Sequence, residues 1–264
     1  HFRFSMRVLV AVPTYKRPYI LEKRAWYFLK DLKNADVRVF CDEDEEMYYE
    51  QVAGDRVVVG APQGKPDGLI SQLNFIGEYA RNNGYDIVWK VDDKLTMHKG
   101  GVKKKDIVPY IDEYLLKIID KFKEGADAIG TCKAREYLHS DKNGFTPRYK
   151  PFDASYFVRS EYLTLDPDVF IMDELQLYFK LAEGNHLDVW TCFDMYIDNP
   201  MGKFQGGLQM FDRLEESKNC LELLTSKYPE IRMKEGRSET SIDVGWNIDY
   251  SFYRDKFKKH FTNL

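Results

Sequence analysis

The sequence predicts an α/β fold in which a mostly parallel sheet is flanked by helices, with a small antiparallel element in the second half of the chain. The first reason is the run at residues 7–13, which is apolar after Arg7, as in a strand buried on both faces of a parallel sheet. The second is the alternation of such strands with helical periodicity across short connections. The third is that several strands end in charged residues, which is typical of the edge where α/β sheets bind ligands.

The first half of the chain contains four predicted strands and two predicted helices. The strands are at 7–13, 36–42, 56–60 and 85–91. A proline-bearing loop follows the first strand, and apolar residues then recur at helical spacing from Ile20 to Leu32. The second helix runs from Leu69 to Ala80, and the sequence Asn-Asn-Gly at 82–84 closes it.

The second half continues the alternation. Helices are predicted at 107–122, from Met172 to about Gly184, and around 214–224, and strands at 126–132, 154–158 and 187–193, the last closing the sheet. The turn at residues 142–144 indicates a hairpin. After these elements come a polar tail and a basic, aromatic end. Because the sequence has no internal repeat, low-complexity segment or linker, residues 6–264 are expected to form one domain.

Composition narrows the classes of function. A chain of 264 residues with 44% hydrophobic residues can form a sizeable core, and a net charge of -4 gives no overall basic field for nucleic acid, although a local basic groove stays open. The four cysteines are widely spaced, which excludes a zinc ribbon or a disulfide framework and favours the cytoplasm. No apolar run is long enough to span a bilayer and no signal peptide is recognisable, so no membrane partner is expected. Residues 1–5 precede Met6 and are interpreted as a cloning remnant.

Charged and polar residues follow three strands that should end side by side. They are Thr14, Lys16 and Arg17 after the first strand, Asp42 and Asp44 after the second, and Asp92 and Asp93 after the fourth. Cations and acids at one edge suit a ligand that carries phosphates, a sugar and a base. Each residue alone is better explained as a solvated surface charge or a cap, so the functional interpretation depends on their joint placement.

Four segments, in the right order between Arg7 and Trp190, resemble the family-2-like, GT-A-type glycosyltransferases. Residues 10–17, Val-Ala-Val-Pro-Thr-Tyr-Lys-Arg, look like their opening strand. Residues 68–82 are similar to the helix before their acidic motif, and Val91-Asp92-Asp93 resembles that DxD motif itself. Met172-Asp173-Glu174 resembles the later acidic pair that carries the catalytic base in inverting members.

The resemblance implies a Rossmann-like GT-A fold and a specific set of site residues. Residues 6–95 would form the half that binds a nucleotide sugar, with UDP as the expected nucleotide, and residues 96–264 the acceptor-binding half with the antiparallel element. The implied base is Asp173, with Glu174 close behind; the alternative is that both acids simply interact favourably with a helix N-terminus. The implied donor-binding residues are Pro13, Thr14, Tyr15, Arg17, Asp42, Lys65, Asn74, Asp92, Asp93, Lys94, Gly206 and Gly207.

The motif departs from the family at its last position, where Lys94 replaces the usual acid. Two alternatives follow. A divalent cation, Mg²⁺ or Mn²⁺, is held by Asp93 with the donor phosphates, or the ammonium of Lys94 replaces the cation and neutralises the leaving diphosphate.

The acceptor is the least determined part. The chain is similar in general character to small bacteriophage glycosyltransferases, related to the TET/JBP-associated enzymes, that modify hydroxymethylated pyrimidines in DNA. Double-stranded DNA is then the expected acceptor, contacted by the lysines at 103–105 and by Arg254, Lys256, Lys258 and Lys259, in the cytoplasm of the host cell. A glycan or protein acceptor and a non-catalytic nucleotide-sugar-binding module are the alternatives. The sequence sets no oligomeric state.

Overall fold

The computed structural model describes residues 6–64, 67–200, 213–233 and 248–263. Its strands are β1 Val8–Pro13, β2 Asp36–Cys41, β3 Val57–Val59, β4 Ile87–Val91, β5 Thr96–His98, β6 Ala128–Lys133, β7 Phe145–Pro147, β8 Ser155–Arg159, β9 Val189–Asp198, β10 Arg232–Met233 and β11 Ile248–Asp249. Its helices are α1 Pro18–Lys23, α2 Ala25–Leu29, α3 Glu46–Ala53, α4 Gly68–Asn82, α5 Val108–Lys123, α6 Ala134–Leu138, α7 Asp173–Glu183, α8 Arg213–Lys227 and α9 Ser251–Thr262.

Nine strands form one sheet in the order β3-β2-β1-β4-β8-β6-β9-β5, with β7 also paired to β9. The first four strands are mutually parallel, β8 runs antiparallel to both β4 and β6, and β9 is parallel to β6. Strands β5 and β7 run antiparallel to β9. Strands β1, β2, β3, β4, β6 and β9 therefore share one direction, which confirms the predicted mostly parallel sheet with antiparallel strands in its second half.

Helices cover both faces of the sheet because the side chains of each strand alternate between them. On β1, Leu9 and Ala11 pack with α4, α7, α8 and α9, whereas Val8, Val10 and Val12 pack with α1, α2, α3 and α5. Strand β1 is buried along its whole length, as its continuous apolar sequence predicts. Among the described residues, no helix is both long and apolar enough to cross a bilayer.

The predicted helix from Ile20 to Leu32 is two short helices instead. Helix α1 ends at Lys23, and Arg24 leaves the helical region with φ -123° and ψ -97°. The break places backbone and side chain against the loop after β4: the Ala25 amide donates to the Asp93 carbonyl at 3.3 Å, and Arg24 Nε donates to the Lys94 carbonyl at 2.6 Å. Tertiary hydrogen bonds thus override a helical periodicity that is correct on each side of the break.

The hairpin predicted at residues 142–144 is wrong. Gly144 does adopt the left-handed conformation of a turn, with φ 62°. However, the strand that follows it, β7, pairs with β9, which lies some 45 residues further along the chain, and not with the preceding β6. Helices α3, α6 and α9 and strand β5 were not predicted. Helix α9 occupies what was expected to be the basic, aromatic end, and it buries Tyr253 and Phe257.

Candidate active site

The ends of β2, β1 and β4 lie side by side, as their sequences predict. The register pairs Val12 with Val39 and Ala11 with Lys90, so the three strands end at one edge. The Thr14 hydroxyl donates to Asp93 Oδ2 at 2.9 Å, which joins the loop after β1 to the loop after β4. We call this edge, with the loops that follow the three strands, the strand-end site.

Gln63 joins the end of β2 to the same site. Its backbone amide lies 3.0 Å from both carboxylate oxygens of Asp42, and its side-chain Nε2 donates to the Thr14 carbonyl at 2.6 Å. Burial raises the pKa of Asp42, against the opposing effect of these hydrogen bonds. Sequence reasoning missed Gln63, because it lies in a loop with no motif that marks it.

A directed chain of hydrogen bonds fixes the loop after β1. The Arg17 amide donates to the Tyr49 hydroxyl at 2.9 Å, and that hydroxyl lies 2.8 Å from Thr14 Oγ1. Because the Thr14 hydroxyl donates to Asp93, the Tyr49 hydroxyl must donate to Thr14. The Arg17 guanidinium closes the circuit, with Nη1 3.4 Å from Asp93 Oδ1. Asp93 is 4% exposed, so this carboxylate is enclosed by groups of the chain itself.

Lys90 lies at the centre of a second group of contacts and has no assigned role in the sequence interpretation. Its side chain is 1% exposed, and Nζ lies 2.8 Å from Asp92 Oδ1, 3.3 Å from Asp173 Oδ2 and 3.8 Å from Glu174 Oε1. We call these four residues the lysine–acid cluster. Tyr156, opposite Lys90 on β8, donates its hydroxyl to Asp173 Oδ2 at 2.9 Å. The two acidic pairs, about 80 residues apart in the sequence, therefore meet at one ammonium group.

The acidic pair Asp173–Glu174 is brought to this edge by the segment 160–172, which we call the return segment. It starts at the far end of the sheet, where the Ser160 amide donates to the Asp86 carbonyl at 2.9 Å, and it runs back along α4. Met172, just before the pair, has φ 71° and ψ 39°, a left-handed conformation that is uncommon for a residue with a side chain. Both acids then occupy the first turn of α7, where the helix dipole favours negative charge.

The pKa values of the groups in the lysine–acid cluster shift in different directions. Burial alone would lower the pKa of Lys90, but the three surrounding carboxylates outweigh burial and raise it. Burial raises the pKa of Asp92, yet Lys90 and then Lys94 reverse this and lower it overall. Burial and the neighbouring Asp173 raise the pKa of Glu174. Glu174, with 28% of its side chain exposed against 2% for Asp173, is thus the accessible carboxyl group with raised proton affinity.

The remaining predicted residues differ in their surroundings. Pro13 ends β1, and Tyr15 lies beside Lys16, whose Nζ is 5.0 Å from the ring centroid. Lys94 is half-buried next to the cluster. The amide of Asn74 holds the return segment: Nδ2 donates to the Leu165 carbonyl at 2.9 Å, and Oδ1 accepts the Leu165 amide at 2.5 Å. The predicted Lys65, Gly206 and Gly207 lie outside the described residues.

A divalent cation fits the acids after β2 better than those after β4. Asp92 Oδ1 contacts the Lys90 ammonium, and Asp93 contacts Thr14 and the Arg17 guanidinium, so each carboxylate already lies beside a fixed cation that would repel Mg²⁺ or Mn²⁺. Asp42, Asp44 and Glu45 each offer an oxygen atom within 4.8 Å of the others, and we call them the β2 acid triad. Glu45 Oε1 accepts the Lys16 amide at 2.6 Å, while Oε2 is buried without a hydrogen-bond partner among the described residues.

Several solved structures resemble this chain in fold. A mycobacterial protein matches with a TM-score of 0.50 at 14% identity over 89% of this chain and 82% of that one. The mannosyltransferase PcManGT from Pyrobaculum calidifontis, in complex with GDP-Man and Mn²⁺, matches with a TM-score of 0.49 at 13% identity over 89% of this chain and 66% of that one. A 4-diphosphocytidyl-2C-methyl-D-erythritol synthase from Anaerococcus prevotii matches with a TM-score of 0.43 at 12% identity over 71% and 88% of the two chains. Such low identities concern the fold and carry no statement about substrate. No protein-family model and no curated protein matches the sequence.

Proposed function

We propose that the chain is a glycosyltransferase that moves a sugar from a nucleoside-diphosphate sugar, UDP-linked, to a hydroxyl group of an acceptor. The observation that carries the proposal is the lysine–acid cluster at the strand-end site. One acidic pair follows β4 and the other begins α7, and Lys90 Nζ lies within 3.8 Å of a carboxylate from each. This supports a cleft in which donor and acceptor groups meet at the carboxyl edge of the sheet.

The donor would lie across the ends of β2, β1 and β4. Asp42, held by Gln63, is suited to accept an N–H of the base, and Tyr15 is suited to stack on its ring. Asp92 is 22% exposed and can accept a ribose hydroxyl. The diphosphate needs positive charge, and Lys16 and Lys94 lie at this edge to supply it. Lys65, Gly206 and Gly207 remain donor-binding predictions.

The acceptor base is Glu174 in this proposal, and Asp173 is the group that positions it. A general base must reach the acceptor proton, and Glu174 is the more exposed of the two. Asp173 Oδ2 already contacts Tyr156 and Lys90, which fixes its carboxylate. A raised carboxyl pKa brings proton affinity nearer to neutral pH, where a general base works best.

The reaction is then an in-line displacement at the anomeric carbon. The acceptor oxygen forms a bond to that carbon as Glu174 takes its proton. The bond from the carbon to the phosphate oxygen breaks, and its electron pair leaves with the nucleoside diphosphate, whose charge the lysines of the site stabilise. No step in this scheme passes through a metal ion.

For the acceptor we propose hydroxymethylated pyrimidine in duplex DNA, as the resemblance implies. The supporting feature is the loop that leaves β5 shortly after Asp93: Lys104 Nζ lies 4.7 Å from the ring centroid of Tyr27, and Lys99 Nζ lies 4.9 Å from that of Tyr110. Lysines beside exposed aromatic rings suit phosphates and extruded bases. Helix α9 packs through Tyr253 and Phe257 in the core on one face of the sheet, whereas α5, which follows the lysines at 103–105, packs in the core on the other face. The two predicted basic clusters therefore belong to different helical layers.

The test is a donor and acceptor screen read by mass spectrometry. The protein is incubated with UDP-glucose, other UDP-sugars and GDP-mannose, each with hydroxymethylcytosine DNA, plain DNA or a panel of glycans. Release of nucleoside diphosphate together with a product heavier by one sugar supports a transferase, and the modified polymer names the acceptor. Donor binding without release of nucleoside diphosphate with any acceptor contradicts the proposal and favours a binding module.

Two variants then test the roles of the acids. Glu174→Gln should lower kcat by a factor of about 10² to 10⁴ with little change in donor KM, since it removes only the base. The wild-type rate should rise with pH through a pKa above 4.5, the ordinary value for glutamate. Asp173→Asn is the matched comparison at the neighbouring position. If Asp173→Asn stops transfer while Glu174→Gln retains it, Asp173 is the base, as the resemblance first implies.

A further inference from the structure

We infer that Lys90 and Arg17 are built-in counter-cations for Asp92 and Asp93, and that they take the place which a divalent metal has on such an aspartate pair. The catalytic consequence, that sugar transfer does not depend on a metal held by this pair, rests on the proposed function. The charge pairing itself does not, because it depends only on contacts among residues of the strand-end site.

The first half of the inference concerns Asp92. Its Oδ1 lies 2.8 Å from the Lys90 ammonium, and Lys90 reaches it from inside the sheet, where its side chain is 1% exposed. A metal bound to Asp92 would stand next to this fixed positive charge in a poorly solvated place, where like charges repel strongly. Lys90 cannot withdraw into water, because its ammonium is enclosed by the lysine–acid cluster and by the ring of Tyr156, whose centroid is 5.6 Å from Nζ.

The second half concerns Asp93. Its two oxygens have different partners: Oδ2 accepts the Thr14 hydroxyl at 2.9 Å and Oδ1 faces the Arg17 guanidinium at 3.4 Å. Both partners are buried, and Thr14 and Arg17 are further held by Tyr49. A metal would have to displace the guanidinium and break this chain of hydrogen bonds, so the aspartate that the resemblance assigns to the metal already has a resident cation.

The β2 acid triad supplies the internal comparison. Its carboxylates follow β2, which β1 separates from β4 in the sheet, and they offer oxygens to one another, while the amide of Lys16 rather than its ammonium makes the close contact with Glu45. Any divalent cation that this edge of the sheet binds should therefore depend on the triad and not on the β4 aspartates.

The decisive experiment is a titration with Mn²⁺, in which free Mn²⁺ is measured by its electron paramagnetic resonance signal. The full chain is compared with Asp92→Asn, Asp93→Asn and the double variant Asp42→Asn/Asp44→Asn. Neither Asp92→Asn nor Asp93→Asn should change the number or affinity of bound Mn²⁺. A stoichiometric Mn²⁺ site in the wild type that either of these variants weakens tenfold or more overturns the inference, whereas loss in the triad variant alone supports it.

Removing the resident cation gives a second readout. Lys90→Met should create a Mn²⁺ site at least tenfold tighter than any the wild type has here, because three carboxylates then face one another without the ammonium. The site should disappear again in Lys90→Met/Asp92→Asn. A folded Lys90→Met protein that gains no Mn²⁺ contradicts the inference; if that variant does not fold, the wild-type titration still decides. A chain that cleaves no donor at all contradicts the proposed function but leaves this titration unaffected.

Discussion

Replacing Lys90 by methionine tests the lysine–acid cluster without reference to function. Methionine keeps an unbranched apolar chain in the space of the lysine stem and removes the ammonium. What remains is Asp92, Asp173 and Glu174, whose side chains are 22%, 2% and 28% exposed. Removing one partner of a buried ion pair typically costs about 3–5 kcal/mol, because the other charge stays buried without compensation. We therefore expect the free energy of unfolding to fall by about 3–5 kcal/mol at pH 8.

The loss should be smaller at pH 5. Because its pKa is raised, Lys90 contributes its full stabilisation at every pH below about 10 and loses it only as the pH rises through that pKa. In the wild type, the stabilisation from Lys90 is therefore the same at pH 5 and at pH 8. In Lys90→Met the carboxylates repel one another, and protonation relieves the repulsion. Glu174, whose pKa is already raised, takes up the first proton.

Urea unfolding followed by circular dichroism at pH 5 and pH 8 measures both effects. Lys123→Met is the matched control, because Lys123 is 47% exposed and its ammonium lies 2.8 Å from Asp120, which is 69% exposed. Such an exposed pair should contribute less than about 1 kcal/mol at either pH. A Lys90→Met protein within about 1 kcal/mol of the wild type at pH 8, or equally destabilised at both pH values, would refute the reasoning about the cluster.

Three further changes test the packing around the site. Burial raises the pKa of Glu45 to about 7 from 4.5, so ionising this carboxyl group lowers the stability of the fold as the pH rises through that range. At 1.36 kcal/mol per pKa unit, the free energy of unfolding of Glu45→Gln should rise by about 3 kcal/mol relative to the wild type between pH 4 and pH 8. Urea unfolding in EDTA measures this difference, with Glu46→Gln, at an exposed position, as the control. Asn74→Ala removes two hydrogen bonds to Leu165 and should cost about 2 kcal/mol; weaker donor binding at unchanged stability would instead assign Asn74 to the donor. Gly77→Ala should lower the Tm measured by calorimetry, because the new Cβ would lie 2.0 Å from the Leu163 carbonyl oxygen. This clash should outweigh the gain of about 1 kcal/mol in helix propensity. An unchanged Tm would show that the return segment moves to make room for the methyl group.

The first half of the fold could be predicted because its signals are local. The runs at residues 7–13 and 87–91, apolar apart from Arg7 and Lys90, can be buried strands, and short crossovers between such strands favour the parallel order. The meeting of Thr14 with Asp93 agrees with that order, since β1 and β4 are neighbours in the sheet and parallel strands end at one edge. The residues that follow β1, β2 and β4 at the strand-end site were therefore accessible to sequence reasoning.

The role of Lys90 was not accessible, because its partners come from long-range pairing. A lysine inside an otherwise apolar strand, two residues before Asp92 and so on the same face, is the signal that could have marked it. Its other partners depend on β8, which enters the sheet antiparallel between β4 and β6 and sets Tyr156 opposite Lys90. No periodicity in the sequence specifies that register.

The break between α1 and α2 and the short β5 escaped prediction for a related reason. Helical spacing continues across Arg24, and the bond from Arg24 Nε to the Lys94 carbonyl decides against it only in the folded chain. Strand β5 has three residues, too few for an alternation to be recognised, and it exists because β9 extends to Asp198 beside it.

The path of the return segment explains why the second acidic pair lies where it does. Strand β8 runs antiparallel to β4, so it ends at the edge away from the strand-end site, and a helix that began there would leave Asp173 far from Asp92. The return segment carries the chain back along α4, and Gly77, Asn74 and Gly68 meet it in that order. Side chains are excluded at both glycines, since a Cβ on Gly68 would lie 2.4 Å from the Phe170 ring. Close packing against α4 thus fixes the start of α7, and with it the distance between the two acidic pairs that Lys90 joins.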